Sequence, residues 1–212
     1  MKRRIILLGI NGLSYSRFSS CKPKFLLNLF NIVYRGVTYN KKPQDHAKSW
    51  LSIIEMTESQ NEKELKLLRE TESIAINIPI SDPTYGEVRF NYNEVKLEEE
   101  VRKVIEAILS KIDEAPIIAS IIGLDRVLHL GVNSTEEICR LYSLIDDFIR
   151  KIVNVVDDFI IFSPFGEPLS PNEYDHEEYG VYLATIPRPS ERSTIKLPEI
   201  GILYKKLILM EK

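Results

Sequence analysis

The chain is poor in cysteine and glycine. It has no long apolar run and no excess of positive charge. Its two cysteines, Cys21 and Cys139, lie far apart. They form neither a CxxC metal pair nor a disulfide framework, and a cytoplasmic location is expected from them. No apolar stretch approaches the roughly 20 residues that span a bilayer, so no transmembrane helix and no membrane partner are expected. Lys and Arg number 28 against 31 Asp and Glu, a net charge of −3. No overall positive field draws nucleic acid, and none is expected as a partner. The stretch GINGLS lacks the third glycine of a dinucleotide fingerprint. The start, MKRRIILLGINGLS, is basic then apolar like a secretory signal. Its apolar part is short and no small-residue cleavage site follows, so it reads as a first strand.

What is present suits one globular domain spanning residues 1–212. Of the 212 residues, 44% are hydrophobic and 28% charged, enough for a core and too apolar for a disordered chain. Ile, Glu and Lys are abundant and Gln is scarce, as in a thermophilic source. Arg4 to Ile10 is apolar throughout, the mark of a strand buried on both faces. Lys24 to Tyr34 has helical spacing, and Gly36 reads as its stop. A short strand at GVTYN and a short helix at KSWLSIIEM follow. A polar helix over Glu58–Glu72 and a strand at SIAINIPI come next. Val95–Ile112 is an amphipathic helix and Ile117–Leu124 a third buried strand. Glu136–Val153 is a long helix, with Ser134 or Thr135 as its N-cap. Strands at Phe159–Phe162 and YGVYLAT, then a helix over Glu199–Met210, complete the chain. Apolar strands alternating with amphipathic helices predict an α/β fold, a three-layer sandwich with a largely parallel central sheet flanked by helices. In such sheets ligands sit beyond the carboxyl ends of the strands. That directs attention to Asn11, Asp125, Ser163 to Gly166 and the loop holding His176.

Only three histidines occur: His46, His129 and His176. His129 follows Asp125 by four residues, so a helical turn puts both on one face. With His176 they offer two nitrogens and one oxygen to a divalent ion and leave a coordination position open, as at a catalytic zinc. The competing reading is that Asp125 caps the turn after its strand and His129 is merely exposed. Trp50 reads as a packing anchor. The runs EEEVRK and NEKELK read as solvated helix faces.

Several stretches in order resemble the type I phosphodiesterase/nucleotide pyrophosphatase family of the alkaline phosphatase superfamily. They are RIILLGINGLSY, FLLNLFNIVYRGVTY, PQDHAKSWLSII, INIPISDP, IIASIIGLDRVLH, IIFSPFG and HEEYGVYLA. The resemblance implies a domain of that architecture, here without the large substrate-capping insertion, since little room remains between Pro83 and Glu94. It implies a metal ion, zinc-like, on Asp125, His129 and His176. The positions of the family's second ion and nucleophile read Asn11, His46, Pro164 and Phe165. An amide is a poor anionic ligand, and the proline and phenylalanine side chains are none. The hydroxyl nucleophile is replaced by His46, with Asp45 before it. A two-metal mechanism needs both ions to ionise the nucleophile and stabilise the leaving oxygen. The expected role is therefore a non-catalytic one, a pseudoenzyme that binds a phosphorylated small molecule or a protein partner. The alternative is a single-metal phosphoester hydrolase with His46 as base or nucleophile, oriented by Asp45 if the backbone turns there.

Overall fold

The computed structural model describes residues 3–58, 64–132, 134–170, 175–188 and 194–210. Among the described residues seven strands form one sheet: β1 (Ile5–Ile10), β2 (Tyr34–Tyr39), β3 (Ile74–Ile76), β4 (Ile117–Ile121), β5 (Asp158–Phe162), β6 (Tyr179–Ala184) and β7 (Thr194–Lys196). Their order across the sheet is β3-β4-β1-β5-β6-β2-β7. The first four in that order run parallel. β6 pairs antiparallel with both β5 and β2, and β7 pairs parallel with β2. The sheet is thus largely parallel, and helices cover both faces.

β1 shows why the central strands are apolar throughout. Side chains alternate across a strand. Ile6, Leu8 and Ile10 join one core layer, while Ile5 and Leu7 join the other. The first layer contains α2 (Lys24–Ile32), α5 (Leu97–Lys111) and α7 (Thr135–Val153). The second contains α3 (His46–Ile54), α4 (Lys66–Thr71) and α8 (Leu197–Leu209). Two short helices, α1 (Tyr15–Cys21) and α6 (Gly123–His129), follow β1 and β4 directly. Side chains cap several of these helices. Ser14 accepts from Arg17 N and Ser134 from Glu137 N. Asp146 on α7 accepts from the backbone N–H groups of Phe25 and Leu26, and so caps α2 from a neighbouring helix. Each such bond satisfies a donor that a helix start leaves open.

Three expectations are corrected. Gly36 does not stop a helix. α2 ends at Ile32, and Gly36 lies inside β2 opposite Tyr182. The segment VYRGVTY is rich in β-branched and aromatic residues, and pairing with β6 decides its state. The polar helix over Glu58–Glu72 is shorter among the described residues, covering Lys66–Thr71, while residues 59–63 lie outside them. The cysteines form a bridge, Cys21–Cys139, with Cα atoms 5.0 Å apart. The end of α1 packs on the second turn of α7 and brings together two residues that the sequence separates. The expected cytoplasmic location thereby loses its cysteine argument, although intracellular proteins of hyperthermophiles do carry disulfides. No helix among the described residues is long and apolar enough to cross a membrane.

Gly9 in β1 lies against the Trp50 ring. A Cβ there would overlap the indole and press on Phe162. Both neighbours are fully buried, and close-packed interiors yield little to added volume. Gly9→Ala is expected to cost about 3 kcal/mol. Urea unfolding measures the cost, and the emission of the single tryptophan should shift with it. An unchanged midpoint and spectrum would show that the indole moves aside freely.

Candidate metal centre

The parallel strands end at one edge of the sheet, and there the chain gathers its polar residues. Asn11 follows β1, Asp125 lies just beyond β4, and Ser163 to Phe165 follow β5. β6 runs the other way, so His176, which precedes it, reaches the same edge. His46 opens α3 after β2. The edge therefore brings together Asn11, His46, Asp125, Phe165 and His176.

Asp125 is the centre of the group and is fully buried. Its Oδ1 lies 2.8 Å from His176 Nε2. Its Oδ2 accepts the Tyr92 hydroxyl at 2.5 Å and lies 3.3 Å from His46 Nε2 and 3.7 Å from His129 Nε2. Asp125 and His129 do share one face of α6. The competing reading, an exposed His129 beside a turn-capping Asp125, does not describe this geometry. His129 Nε2 faces His176 Nε2 at 3.1 Å. One ligand atom from each of His46, Asp125, His129 and His176 lies within 4.8 Å of the others, and the group could hold a metal ion. A tetrahedral ion with bonds of about 2.0–2.1 Å sets its ligand atoms roughly 3.3 Å apart. His176 Nε2 to Asp125 Oδ1 at 2.8 Å, His129 Nε2 to His176 Nε2 at 3.1 Å and His129 Nε2 to Asp125 Oδ2 at 3.7 Å bracket that value, with both carboxylate oxygens taking part. Two imidazole nitrogens facing each other at 3.1 Å must share a proton or a cation, and a cation suits the buried carboxylate beside them.

Charge and burial pull the groups in definite directions. Burial alone would raise the Asp125 carboxyl, but His46, His176 and His129 together hold it below its ordinary value. Burial lowers His46, against the opposing pull of Asp125, and so favours its neutral ring. Burial, the Asp125 charge and the bond to it push the Tyr92 hydroxyl up, so it stays protonated and donates.

Neighbouring elements hold the group in place. Glu100 on α5 is fully buried. It accepts from Ile122 N at 2.8 Å, Gly123 N at 2.7 Å and Asn77 Nδ2 at 2.6 Å. The first two are the open donors at the start of α6, so Glu100 sets the helix that carries Asp125 and His129. Burial raises its carboxyl to about 7, against the lowering effect of those three bonds. Gly12 sits against the backbone of Asp125 with φ +82°, a conformation and a closeness that suit only glycine. Tyr142 braces the same turn by accepting from Ser14 N and donating to Gly12 O. His176 lies in the segment between β5 and β6 and is buried there. Gln44 Oε1 accepts its backbone N–H.

His46 lies in the first turn of α3. Asp45 is the N-cap of that helix, and its carboxylate accepts Lys48 N at 2.7 Å. The side chain bonded to His46 Nδ1 is Asn11, at 3.1 Å. Phe165 is fully buried, its ring 4.9 Å from that of His46 and 4.2 Å from that of His176. Outside the group lies a cleft of about 740 Å3, lined among others by Gln44, Ser81, Thr84, Asn93 and Arg126.

No family model matches the sequence, and no curated protein matches it. Solved structures do match. The PH0037 protein of Pyrococcus horikoshii aligns with a TM-score of 0.64 at 12% identity, over 100% of this chain and 98% of that one. Murine ectonucleotide pyrophosphatase/phosphodiesterase 5 aligns with a TM-score of 0.62 at 9% identity, over 98% and 95%. The chain has an alkaline-phosphatase-like fold. A third match is Ps i-CgsB, solved in complex with k-i-k-neocarrahexaose, with a TM-score of 0.59 at 9% identity, over 98% and 72%.

Within this alkaline-phosphatase-like fold, sequence reading named Asp125, His129, His176, His46 and Asn11. It missed Tyr92, Glu100 and Gln44, and gave Trp50 only a packing role. Nothing in the sequence around Tyr92 marks it. It comes from the segment between Pro83 and Glu94, which looked too short to cover the site. Glu100 looked like one more charge on a solvated face. Arg126 carried a signal, since it stands between Asp125 and His129.

Proposed function

We propose that this protein binds one zinc-like divalent ion through Asp125, His129 and His176, and a phosphorylated small molecule beside it, without turning that ligand over. The observation that carries this reading is the convergence of the buried Asp125 carboxylate with three imidazoles that line the cleft. Carboxylate and imidazole suit such an ion. When bound, it supplies positive charge to an anionic oxygen of the ligand. Arg126 on the cleft wall adds a fixed cation. The absence of turnover follows from the remaining groups. No hydroxyl stands at position 46 to form a covalent intermediate. The Phe165 ring packs where a second cation would need a polar partner, and a bare dication there would be too costly to desolvate. The neutral ring of His46 at the cleft favours a second reading, in which it acts as a base toward water in a single-metal phosphoester hydrolase.

Elemental analysis of protein purified without chelators tests the first reading. One ion per chain is expected. His129→Ala should weaken zinc binding by a factor of roughly 100. Binding should weaken as pH falls and the histidines protonate, because proton and metal compete for the same nitrogen. Two equivalent strong sites, or undiminished binding in His129→Ala, would reject it. Aryl phosphate mono- and diesters with zinc, manganese or magnesium separate the two readings. Metal-dependent turnover that disappears in His46→Ala would establish the hydrolase.

A further inference from the structure

Trp50, Asn11 and His46 form a chain of hydrogen bonds whose direction chemistry determines. The indole Nε1–H can only donate. It lies 3.1 Å from Asn11 Oδ1, and both residues are fully buried. The amide oxygen of Asn11 must therefore face Trp50, which leaves the amide nitrogen, a donor, 3.1 Å from His46 Nδ1. Nδ1 must accept, so the proton of the neutral ring sits on Nε2. That Nε2 lies 3.3 Å from Asp125 Oδ2, a contact of charge rather than a formed hydrogen bond. The amide orientation needs no assumption about the site itself, because the donor-only indole settles it.

We infer that Asn11 is a positioning residue which, oriented by Trp50, holds His46 as an Nε2–H donor and so keeps it out of the metal's ligand set. This deepens the reading above and rests on it for the metal. Geometry alone admits His46 as a fourth ligand. Ligation through Nε2 would require a lone pair there, and the ring would then have to protonate Nδ1 against the Asn11 amide N–H. Three ligands and an open position remain. The Nε2–H of His46, which lines the cleft, is then a donor for an anionic oxygen bound there. Such a ring is a poor base toward water, which counts against the hydrolase reading. Asp125, His129, His176 and Tyr92 face His46 from the other packed elements. The adjacent Asp45 carboxylate is engaged with Lys48 N.

The test is Asn11→Asp. A carboxylate accepts from both sides, so it still receives the Trp50 indole but demands a proton on His46 Nδ1. The Nε2 lone pair then turns to the metal. Long-range nitrogen–proton correlation spectra of the metal-free protein, with its ring nitrogens labelled, read the tautomer directly. The natural chain should show His46 protonated at Nε2, and Asn11→Asp should show it at Nδ1. Trp50→Phe, which removes the donor that orients Asn11, should give a mixture. Zinc titration should then show Asn11→Asp binding one ion at least tenfold more tightly, with the gain lost in an Asn11→Asp, His46→Ala double variant. A natural chain protonated at Nδ1 overturns the inference, as does a gain that survives removal of His46 or a second ion in Asn11→Asp. A protein that binds no zinc yet shows the Nε2–H form upholds the Asn11–His46 arrangement and rejects the metal reading alone.

Discussion

Reduction of the Cys21–Cys139 bridge is expected to lower the unfolding free energy more than any single substitution away from the core. The bridge closes a loop between residues 118 positions apart. Cross-linking removes entropy from the unfolded chain in proportion to the logarithm of loop length, and a loop of this size gives about 5 kcal/mol. The elements joined, α1 and α7, supply none of the four side chains of the candidate metal group. The loss should therefore appear in stability far more than in zinc affinity. Urea unfolding of the oxidised and reduced protein, with Cys21→Ser as a control that cannot re-form the bridge, measures it. A difference below about 1 kcal/mol would mean that the unfolded chain is already compact enough to hold the two segments close.

Glu100→Ala carries the second-largest expected effect, and it depends on pH. The substitution leaves Ile122 N, Gly123 N and Asn77 Nδ2 without the acceptor they share. Buried donors stripped of their partner cost about 1–3 kcal/mol each, with partial relief where the chain relaxes, so about 4 kcal/mol in all is expected at pH 5. The carboxyl of Glu100 is raised from 4.5 to about 7 by burial. The folded protein therefore holds that proton where the unfolded chain has released it. Stability from this group is fully present below about pH 4.5 and declines as pH rises through about 7. The decline amounts to roughly 3 kcal/mol. The cost of Glu100→Ala should shrink by about 2.5 kcal/mol, most of that decline, between pH 5 and pH 8. Denaturation at several pH values reads both terms. A cost that grows with pH would mean that the three N–H donors outweigh burial and hold the folded carboxyl below 4.5.

The two effects also mark what a reader of the chain can and cannot see. The apolar runs of β1, β4 and β5 are legible because a strand buried on both faces is built almost wholly of apolar residues, with Ser120 and Asp158 the polar exceptions. α5 and α7 are legible because a helix facing one core layer repeats its apolar residues every three to four positions. Parallel strands then place the residues after each at one edge, which is why Asn11, Asp125 and Phe165 could be grouped before any coordinates were known. The Asp125–His129 spacing pointed to one helix face, and α6 supplies the helix. By itself the sequence determined the α/β class, the edge where the polar groups collect, and three candidate ligands. Only the tertiary structure decided the rest. Whether Cys21 reaches Cys139 depends on how α1 crosses α7. Whether Glu100 is a surface charge or a buried cap depends on where α5 packs against the start of α6. Which nitrogen of His46 holds its proton depends on the direction of a bond from Trp50 to Asn11, residues 39 positions apart. Each is a contact between segments remote in the chain. Local periodicity reports which face of an element is buried, but not which partner lies against it.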